Sequence, residues 1–268
     1  MTPDPVFLST AIEAALAAGR IHKQYFRQHV DVLKKGRIDL VTAADLAVEQ
    51  MFRELIGARF PTHGVLGEEA AAGTQPTNSR MRWIIDPVDG TTNFAHGLAL
   101  FCVSIALEID GRIALGVVYD PIADELFTAE RGAGARLNGM PIHVTRCAAL
   151  VDALLCTGFP YSIREERRRQ VDVFAAFLGE AQAVRRLGSA ALDLCYVAAG
   201  RFDGFWEERI HPWDIAAGAI IIEEAGGTVT GMAGEPFDPF AGHIAATNGL
   251  LHAPILAVIQ GARRDASN

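Results

Sequence analysis

The segment AVRRLGSAALDLCYVAAGRFDGFWEERIHPWDIAAGAIIIEEAGG, residues 183–227, decides the fold because strand and helix patterns alternate along it. The short runs AVRRL and DGFWEE are typical of strands, whereas SAALDLCYVAAG and DIAAGAIIIEEAG are apolar runs of helical length. Alternation of this kind builds layered α/β architectures. The segment therefore predicts an α/β protein with helices packed against its sheet.

The flanking sequence extends this pattern. Downstream, GTVT and HIAATN predict two strands before a last helix, and upstream ALLCTG predicts a strand before a helix over residues 164–178. Four further strands are predicted upstream: RWII, FCVSIALEI, RIALGVVYD and ELFTAE. Asp110 and Gly111 are typical of a hairpin turn between the second and third of them, and the glycine-rich connection GAGARLNG follows the last. A helix is predicted over residues 5–26, and another in VTAADLAVEQMFRELIGARF with Thr42 as N-cap; the polar loop LKKGRID joins them.

Composition and charge limit the range of functions. The 268 residues are half apolar and carry a formal net charge of −8, which argues against generic binding to nucleic acids or anionic membranes. No apolar run approaches the roughly 18 residues of a membrane span, and the start MTPDPVFLST lacks the basic residues of a secretory signal. We therefore expect a cytoplasmic enzyme with a small-molecule or metal partner.

The cysteines indicate neither zinc binding nor catalysis. Cys102, Cys147, Cys156 and Cys195 form no CxxC pair and stand in apolar surroundings, so we expect reduced, buried thiols. The stretch CYVAAGR has the Cys-x5-Arg spacing of thiol phosphatases, but its residues continue an apolar helix, so Cys195 should be buried and un-ionised. Motifs of P-loop, dinucleotide-binding, zincin and serine-hydrolase proteins are missing from the sequence.

The stretch WIIDPVDGTTNF, residues 83–94, holds the strongest candidate for chemistry. Asp86 ends a predicted buried strand, and Pro87 and Gly90 force a turn that aims Asp89 back toward the same point. The amides of GTT begin a helical turn and suit a phosphate. The same residue types also make ordinary tight turns, and the spacing is not that of an EF-hand loop. A metal site here needs ligands from elsewhere in the chain.

Two other stretches offer such ligands. GVLGEEAA supplies Glu68 and Glu69, and HPWDIAAG supplies Asp214 at the front of an apolar helix. A loop glutamate pair is commonly solvated, and an aspartate at a helix start is commonly an N-cap. Combined with Asp86 and Asp89, however, these residues favour a divalent-cation site.

In order and over nearly the full length, these motifs resemble those of the inositol monophosphatases, within the larger group of lithium-sensitive, magnesium-dependent phosphatases. The resemblance runs through DLVTAAD, GEE, WIIDPVDGTTNF, GAGARLNG, RRLGSAALDLCYVAAGRFDGFWE and PWDIAAGAIIIEEAGG. It implies one domain over residues 1–268 with a layered αβαβα sandwich, made of an N-terminal metal-binding half to about residue 145 and a C-terminal α/β half from about residue 146. It also implies a homodimer.

The same resemblance implies the catalytic machinery. Roughly two to three Mg²⁺ ions activate a water and neutralise the phosphate and the departing alkoxide. The metal ligands that it implies are Glu68, Asp86, the carbonyl of Val88, Asp89 and Asp214. Asp45 and Thr91 orient the attacking water and, with Glu68, are the implied catalytic residues. The stretch TAAD also fits a capping box, in which Asp45 only supports its helix.

The resemblance also implies the substrate contacts. They are Asp89, Gly90, Thr91, Gly188, Ala190, Glu207 and Asp214. Gly90 and Thr91 amides hold the phosphate and Glu207 the alcohol, while strand alternation points Glu208 the opposite way. Lys34 matches a mobile-loop lysine near the metals, although the adjacent Lys35 leaves that alignment open by one residue. Residues 157–165 offer no assignable hydroxyl-binding serine.

The implied activity is Mg²⁺-dependent hydrolysis of myo-inositol 1-phosphate to inositol and phosphate, with inhibition by lithium. Histidinol-phosphate phosphatase and fructose-1,6-bisphosphatase are alternatives, because relatives use the same metal core on those substrates and Glu207 also suits a cationic amine. A regulatory RNA- or transcription-associated binding protein is the alternative of another class. It depends on REERRR, residues 164–169, whose two glutamates offset part of the positive charge.

Overall fold

The computed structural model describes residues 4–26, 32–34, 40–69, 79–160 and 163–265. Lys35 and Ser162 lie outside the described residues, as do the side chains of Lys34 and of residues 164–167. The helices of the described chain are α1 Pro5–Tyr25, α2 Ala43–Arg59, α3 Thr91–Ala95, α4 Ile163–Glu180, α5 Ala190–Ala198, α6 Pro212–Glu224 and α7 His252–Asp265.

The strands form two main sheets and one short hairpin. The hairpin pairs β1 Val32–Lys34 with β2 Leu40–Thr42. The seven-stranded sheet follows chain order through β3 Gly64–Gly67, β4 Met81–Asp89, β5 Cys102–Ile109, β6 Arg112–Asp120, β7 Glu125–Glu130, β8 Gly134–Leu137 and β9 Met140–Pro141. The five-stranded sheet, in the order β11-β10-β12-β14-β13, contains β10 Leu154–Thr157, β11 Ala183–Arg185, β12 Gly204–Glu208, β13 Thr228–Thr230 and β14 His243–Thr247.

Helices and sheets stack in five layers, which confirms the predicted αβαβα sandwich. Helices α1 and α2 cover the seven-stranded sheet, α5 and α6 lie between the two sheets, and α4 and α7 cover the other face of the five-stranded sheet. Three apolar clusters fill the interfaces, represented by Trp83 in the first, Ile220 in the second and Trp206 in the third. The central helix α6 is apolar around most of its circumference because it packs against a sheet on either side.

Local sequence explains where the N-terminal helices begin and how closely α1 packs against the sheet. Asp4 caps α1 by accepting the Val6 amide at 3.0 Å, and Pro5 occupies its first turn. Fully buried alanines, including Ala14 and Ala18, bring this helix close to the sheet. The predicted N-cap of α2 is confirmed, since the Thr42 hydroxyl accepts the Ala44 amide at 3.2 Å.

Several boundaries differ from the sequence predictions. Lys34, predicted in a polar loop, ends strand β1, because residues 32–34 pair with residues 40–42. The connection GAGARLNG contains strand β8, which turns into β9 through Asn138 and Gly139, both with positive φ. The hairpin predicted at Asp110 and Gly111 is confirmed, with φ of +51° and +78°.

The cysteine environments follow most of the prediction. Cys102, Cys156 and Cys195 are free and buried, and burial raises the pKa of each thiol well above its ordinary value. Cys195 is therefore no nucleophile. Cys147 was predicted to be buried, which is wrong, since its thiol is only partly covered and donates to the Ala149 carbonyl. Across the part of the chain that the structure covers, no helix combines the length and apolar character that crossing a membrane requires.

Candidate active site

A cleft of about 310 Å³ opens where the carboxyl ends of β4 and β12 meet the amino ends of α5 and α6. Of the predicted site residues whose side chains the structure describes, all line this cleft except Asp45. The predicted residues in its wall are Glu68, Asp86, Val88, Asp89, Gly90, Thr91, Gly188, Ala190, Glu207 and Asp214. Lys34 ends β1, and the position of its side chain stays a prediction.

The DPVD turn is a bulge in β4. Asp86 pairs with Ser104 and Asp89 pairs with Cys102, so residues 87 and 88 interrupt the ladder to β5. The Asp86 carboxylate accepts the Val88 amide at 2.9 Å, and the Thr91 hydroxyl donates to the Val88 carbonyl at 2.9 Å. The bulge turns the two aspartates into the cleft.

Gly90 is required where the turn ends. Its φ is +95°, and a Cβ there would lie 2.9 Å from the Leu100 carbonyl oxygen. Helix α3 begins immediately afterwards, as predicted, with Thr91 buried at its first position. The backbone of Gly90 and Thr91 therefore borders the cleft without an intervening side chain at residue 90.

Asp89 connects the bulge in β4 to helix α5, which lies between the two sheets. Its carboxylate accepts the Ser189 hydroxyl at 2.6 Å, the Ala191 amide at 2.7 Å and the Ala190 amide at 3.3 Å. These amides belong to the first turn of α5, which attracts negative charge. Ser189 was not singled out in the sequence, because its partner stands one hundred positions earlier in the chain.

The capping-box interpretation of Asp45 is confirmed, and its catalytic role stays a prediction. Its Oδ2 accepts the Thr42 amide at 2.7 Å and the Thr42 hydroxyl at 2.5 Å, which completes the capping box of α2. Its Oδ1 lies 3.5 Å from the Thr91 hydroxyl. The cap fixes the side chain and leaves the second oxygen facing the turn.

Asp214 has the same position in α6 as Asp45 has in α2. It is the third residue of the helix and accepts the amide of His211, the residue before the helix, at 2.8 Å. Pro212 begins the helix, so the sequence HPWD sets both the helix start and the direction of this carboxylate. The N-cap alternative for Asp214 is therefore wrong by position, since His211 is the N-cap.

Six carboxylates face this region in two groups. Oxygens within 4.8 Å of one another come from Asp86, Asp89 and Asp214 in the first group, and from Asp45, Glu68 and Glu69 in the second. Oxygen donors of this kind, without histidine or cysteine, fit the preference of Mg²⁺.

Burial and mutual repulsion raise the pKa values of these carboxyls. Burial, followed by the charges of Glu68, Asp89 and Asp214, raises the pKa of Asp86 well above its ordinary value. Burial and the charge of Asp89 raise the pKa of Asp214 to about 7, and burial raises that of Asp45 to about 6. A bound cation would relieve this repulsion, so the residues present fit a divalent cation.

Glu207 faces the cleft from β12, and Glu208 faces away from it, as strand alternation predicts. Burial, with the charge of Asp214 second, raises the pKa of Glu207 to about 8. Gly158 allows this carboxyl to approach, since a Cβ there would lie within 2.5 Å of a Glu207 oxygen. On the other face, Glu208 accepts from Arg169 at 2.9 Å and from Gln170 at 2.7 Å.

Three more charged residues line the cleft and were not identified from the sequence: Arg186, Asp193 and Arg209. Asp193 is 1 % exposed, and burial followed by the charge of Glu207 raises its pKa well above the ordinary value. An aspartate within the apolar run SAALDLCYVAAG was the available signal for this residue. Arg186 follows a second arginine in AVRRL, and nothing in that spacing distinguishes the two.

Known proteins are similar to this chain in sequence and in fold. The profile of the Inositol monophosphatase family matches residues 5–264. The inositol-1-monophosphatase of Rhizobium meliloti is 43 % identical over 255 residues, covering 94 % of this chain and 96 % of that protein. The Nus factor SuhB of Escherichia coli K12 is 40 % identical, with 97 % of each chain covered. The solved inositol monophosphatase of Anabaena has a TM-score of 0.86 at 44 % identity and covers 96 % of each chain.

The layered fold, the clustered carboxylates and these matches define a metal-dependent phosphatase. Within that class, the chain belongs to the inositol monophosphatase family.

Proposed function

We propose that this enzyme hydrolyses myo-inositol 1-phosphate to inositol and phosphate with Mg²⁺. The observation that carries the proposal is the convergence of Asp86, Asp89 and Asp214, whose oxygens lie within 4.8 Å of one another in a cleft that Glu207 also lines. The relatives named inositol-1-monophosphatase support the choice of substrate. When bound, Mg²⁺ supplies Lewis acidity toward water and toward phosphate oxygens.

The cation ligands in this proposal are the side chains of Glu68, Asp86, Asp89 and Asp214 and the carbonyl of Val88. The Thr91 hydroxyl occupies one lone pair of the Val88 carbonyl oxygen and leaves the second free. Glu68 lies in the second carboxylate group beside Asp45. A cation that Glu68 binds would therefore lie close to the proton-accepting carboxylate.

Asp45 and Thr91 position the attacking water. The pKa of Asp45 is about 6, so most of this carboxyl is ionised at neutral pH and can accept a proton. The Thr91 oxygen lies 3.5 Å from Asp45 Oδ1, so a single water beside the two oxygens can donate to both. The two Thr42 contacts keep Asp45 in this orientation.

The phosphate and the alcohol contact different residues of the cleft. The amides of Gly90 and Thr91 donate to the phosphate. The backbone of Gly188 and Ala190 and the carboxyl of Glu207 border the polyol. Because its pKa is about 8, Glu207 can donate to a hydroxyl as well as accept from one near neutral pH.

A Mg²⁺-dependent substrate panel tests this proposal. We expect the highest kcat/KM for myo-inositol 1-phosphate against histidinol phosphate and fructose 1,6-bisphosphate, with no turnover after chelation and with inhibition by lithium. A preference of about 100-fold for histidinol phosphate, equivalent to about 2.7 kcal/mol, would replace inositol 1-phosphate as the substrate but leave the metal chemistry intact.

A binding role in transcription is a second candidate, because a 40 % identical relative carries the name Nus factor. The described side chains of REERRR give it little support. Arg168 pairs with Asp172 one helical turn away at 3.8 Å and Arg169 pairs with Glu208 at 2.9 Å, so part of their positive charge is offset within the protein. An Asp89→Asn variant separates the two functions, since it should lose turnover and retain any such binding.

Three finer features stay predictions. They are the homodimer, the cytoplasmic location and a count of roughly two to three Mg²⁺ ions per site. Sedimentation of the protein with and without Mg²⁺ measures the first, and titration calorimetry measures the last.

A further inference from the structure

His22 contacts the metal-binding turn from behind the sheet. It lies in the last turn of α1, is fully buried, and places Nε2 2.8 Å from the Pro87 carbonyl oxygen. A carbonyl only accepts hydrogen bonds, so Nε2 carries the proton. The contact joins residues 65 positions apart in the chain.

The bulge explains why this contact matters. Residues 87 and 88 interrupt the ladder to β5, so their backbone groups need other partners. Proline has no N–H, which leaves three groups to satisfy. The Val88 amide donates to Asp86, the Val88 carbonyl accepts from Thr91, and the Pro87 carbonyl accepts from His22.

Two of these bonds hold a single peptide plane. The Pro87 carbonyl and the Val88 amide belong to the same planar unit, which rotates as a whole. His22 holds its oxygen end, and the Asp86 carboxylate accepts from its N–H end. Rotation of this plane would therefore move the Asp86 carboxylate and the adjacent Val88 carbonyl together.

The described surroundings of His22 offer its ring no second polar partner. The ring stands edge-on to Phe94 and Phe101, with centroid distances of 6.1 Å and 5.7 Å, and Nδ1 has no hydrogen-bond partner among the described residues. An apolar side chain would satisfy this pocket equally well. The Pro87 carbonyl is the feature that requires a donor.

We propose that His22 is a positioning residue for the divalent-cation site. Its Nε2–H fixes the Pro87–Val88 peptide plane and thereby orients Asp86 and the Val88 carbonyl toward the cation. This inference rests on the proposed function, which assigns these two groups as ligands. Residues that orient metal ligands from the second layer typically change metal affinity by roughly 10- to 100-fold when they are replaced.

The test compares Mg²⁺ binding by three variants, measured by titration calorimetry on protein stripped of metal. His22→Leu removes the donor, and we expect its Mg²⁺ dissociation constant to rise by roughly 10- to 100-fold. His22→Gln places an amide N–H near the position of Nε2 and should restore tight binding. Phe52→Leu alters a fully buried core residue against Trp83 and should lower the melting temperature without changing the Mg²⁺ dissociation constant.

Activity gives a second measurement. In His22→Leu the Mg²⁺ concentration for half-maximal activity should rise, whereas KM for inositol 1-phosphate at saturating Mg²⁺ should stay at the wild-type value. A role confined to core packing would lower stability and leave the Mg²⁺ requirement unchanged.

The outcomes separate this inference from the proposed function. If the wild-type protein neither binds Mg²⁺ nor requires it, the proposed function fails. If wild-type protein binds Mg²⁺ and His22→Leu binds it equally well, the inference about His22 is wrong whatever the melting temperature shows. If His22→Leu does not fold, His22→Phe replaces it, because it keeps a ring against Phe94 and Phe101. Its Mg²⁺ dissociation constant and its Mg²⁺ concentration for half-maximal activity then decide the question in the same way.

Discussion

The Asp89 carboxylate accepts the Ser189 hydroxyl at 2.6 Å, which joins the bulge of the seven-stranded sheet to the first turn of α5. A residue that the proposed function makes a metal ligand is therefore held by a segment from the other half of the chain. The cleft forms only when the two sheets and the helices between them pack together. The site therefore requires the packing of the two halves of the chain as well as the local DPVD turn.

Thr42→Ala should move the acid limb of the kcat/KM profile to higher pH. The Thr42 hydroxyl donates to Asp45 and so favours the ionised carboxylate; without it the Asp45 pKa rises above about 6, and proton acceptance needs a higher pH. The lost cap should also lower the free energy of unfolding by about 1 kcal/mol.

Asp4→Ala is the matched control, because it removes the cap of α1 far from the cleft. It should cost a similar free energy of unfolding and leave the pH profile unchanged. If Thr42→Ala shows the wild-type acid limb, Asp45 is not the proton acceptor.

Glu207→Gln and Glu208→Gln should have opposite effects although the residues are adjacent. We expect Glu207→Gln to lower kcat/KM for inositol 1-phosphate by about 10-fold or more, since it replaces a carboxyl oxygen that can donate or accept with an amide nitrogen that only donates. Glu208→Gln weakens the contacts to Arg169, Gln170 and Arg263 on the other face of the sheet. It should lower the free energy of unfolding by about 1–3 kcal/mol and leave kcat/KM nearly unchanged.

Steady-state kinetics and urea unfolding of both variants check this pair. Equal losses of kcat/KM in the two variants would mean that the effect arises from the strand as a whole. Glu207 would then have no specific role in holding the alcohol.

The metal-free protein should become less stable as pH rises from 6.5 to about 8. The folded-state pKa values of Asp214, about 7, and Glu207, about 8, lie above their unfolded values of 3.8 and 4.5. A raised pKa contributes stability that is present below the unfolded value and is lost as pH rises through the folded one. Buried His22 acts in the opposite direction, but only below its unfolded value of 6.5.

Urea unfolding at the two ends of this pH range, with and without Mg²⁺, measures the effect. Without Mg²⁺ we expect a decrease on the order of 2 kcal/mol, and with saturating Mg²⁺ we expect little change because the cation offsets the carboxylate charges. A metal-free protein that is as stable at the higher pH as at the lower would show that burial and mutual repulsion do not raise the pKa values of these carboxyls in the fold.

The local parts of the site could be predicted from the sequence, and the long-range parts could not. Asp86, Asp89 and Gly90 stand within one short stretch, where proline and glycine indicate the turn directly. Asp214 follows a proline that starts a helix, so its direction is also set locally. The strand and helix alternation likewise depends on periodicity within single segments.

Contacts between distant segments leave no such pattern. The position of His22 in the helical pattern predicts only that it lies on the buried face of α1. Its hydrogen bond to Pro87 depends on how that helix packs against the sheet. Ser189 precedes an apolar helix as many serines do, and its contact with Asp89 spans one hundred positions. The sequence does not separate the two interpretations of Asp45, because its two oxygens contact different partners, one of them on a distant segment.

The turnover of myo-inositol 1-phosphate by Asp89→Asn in saturating Mg²⁺ tests the metal assignment most directly. The change keeps the shape of the side chain but removes its charge, so we expect kcat to fall by more than roughly 100-fold, the upper range for residues that only orient ligands. Asp110→Asn is the control, since Asp110 lies in an exposed hairpin turn at φ +51°, which asparagine tolerates. Loss of turnover in Asp89→Asn alone is the predicted result, and wild-type turnover in Asp89→Asn would contradict the account of this site.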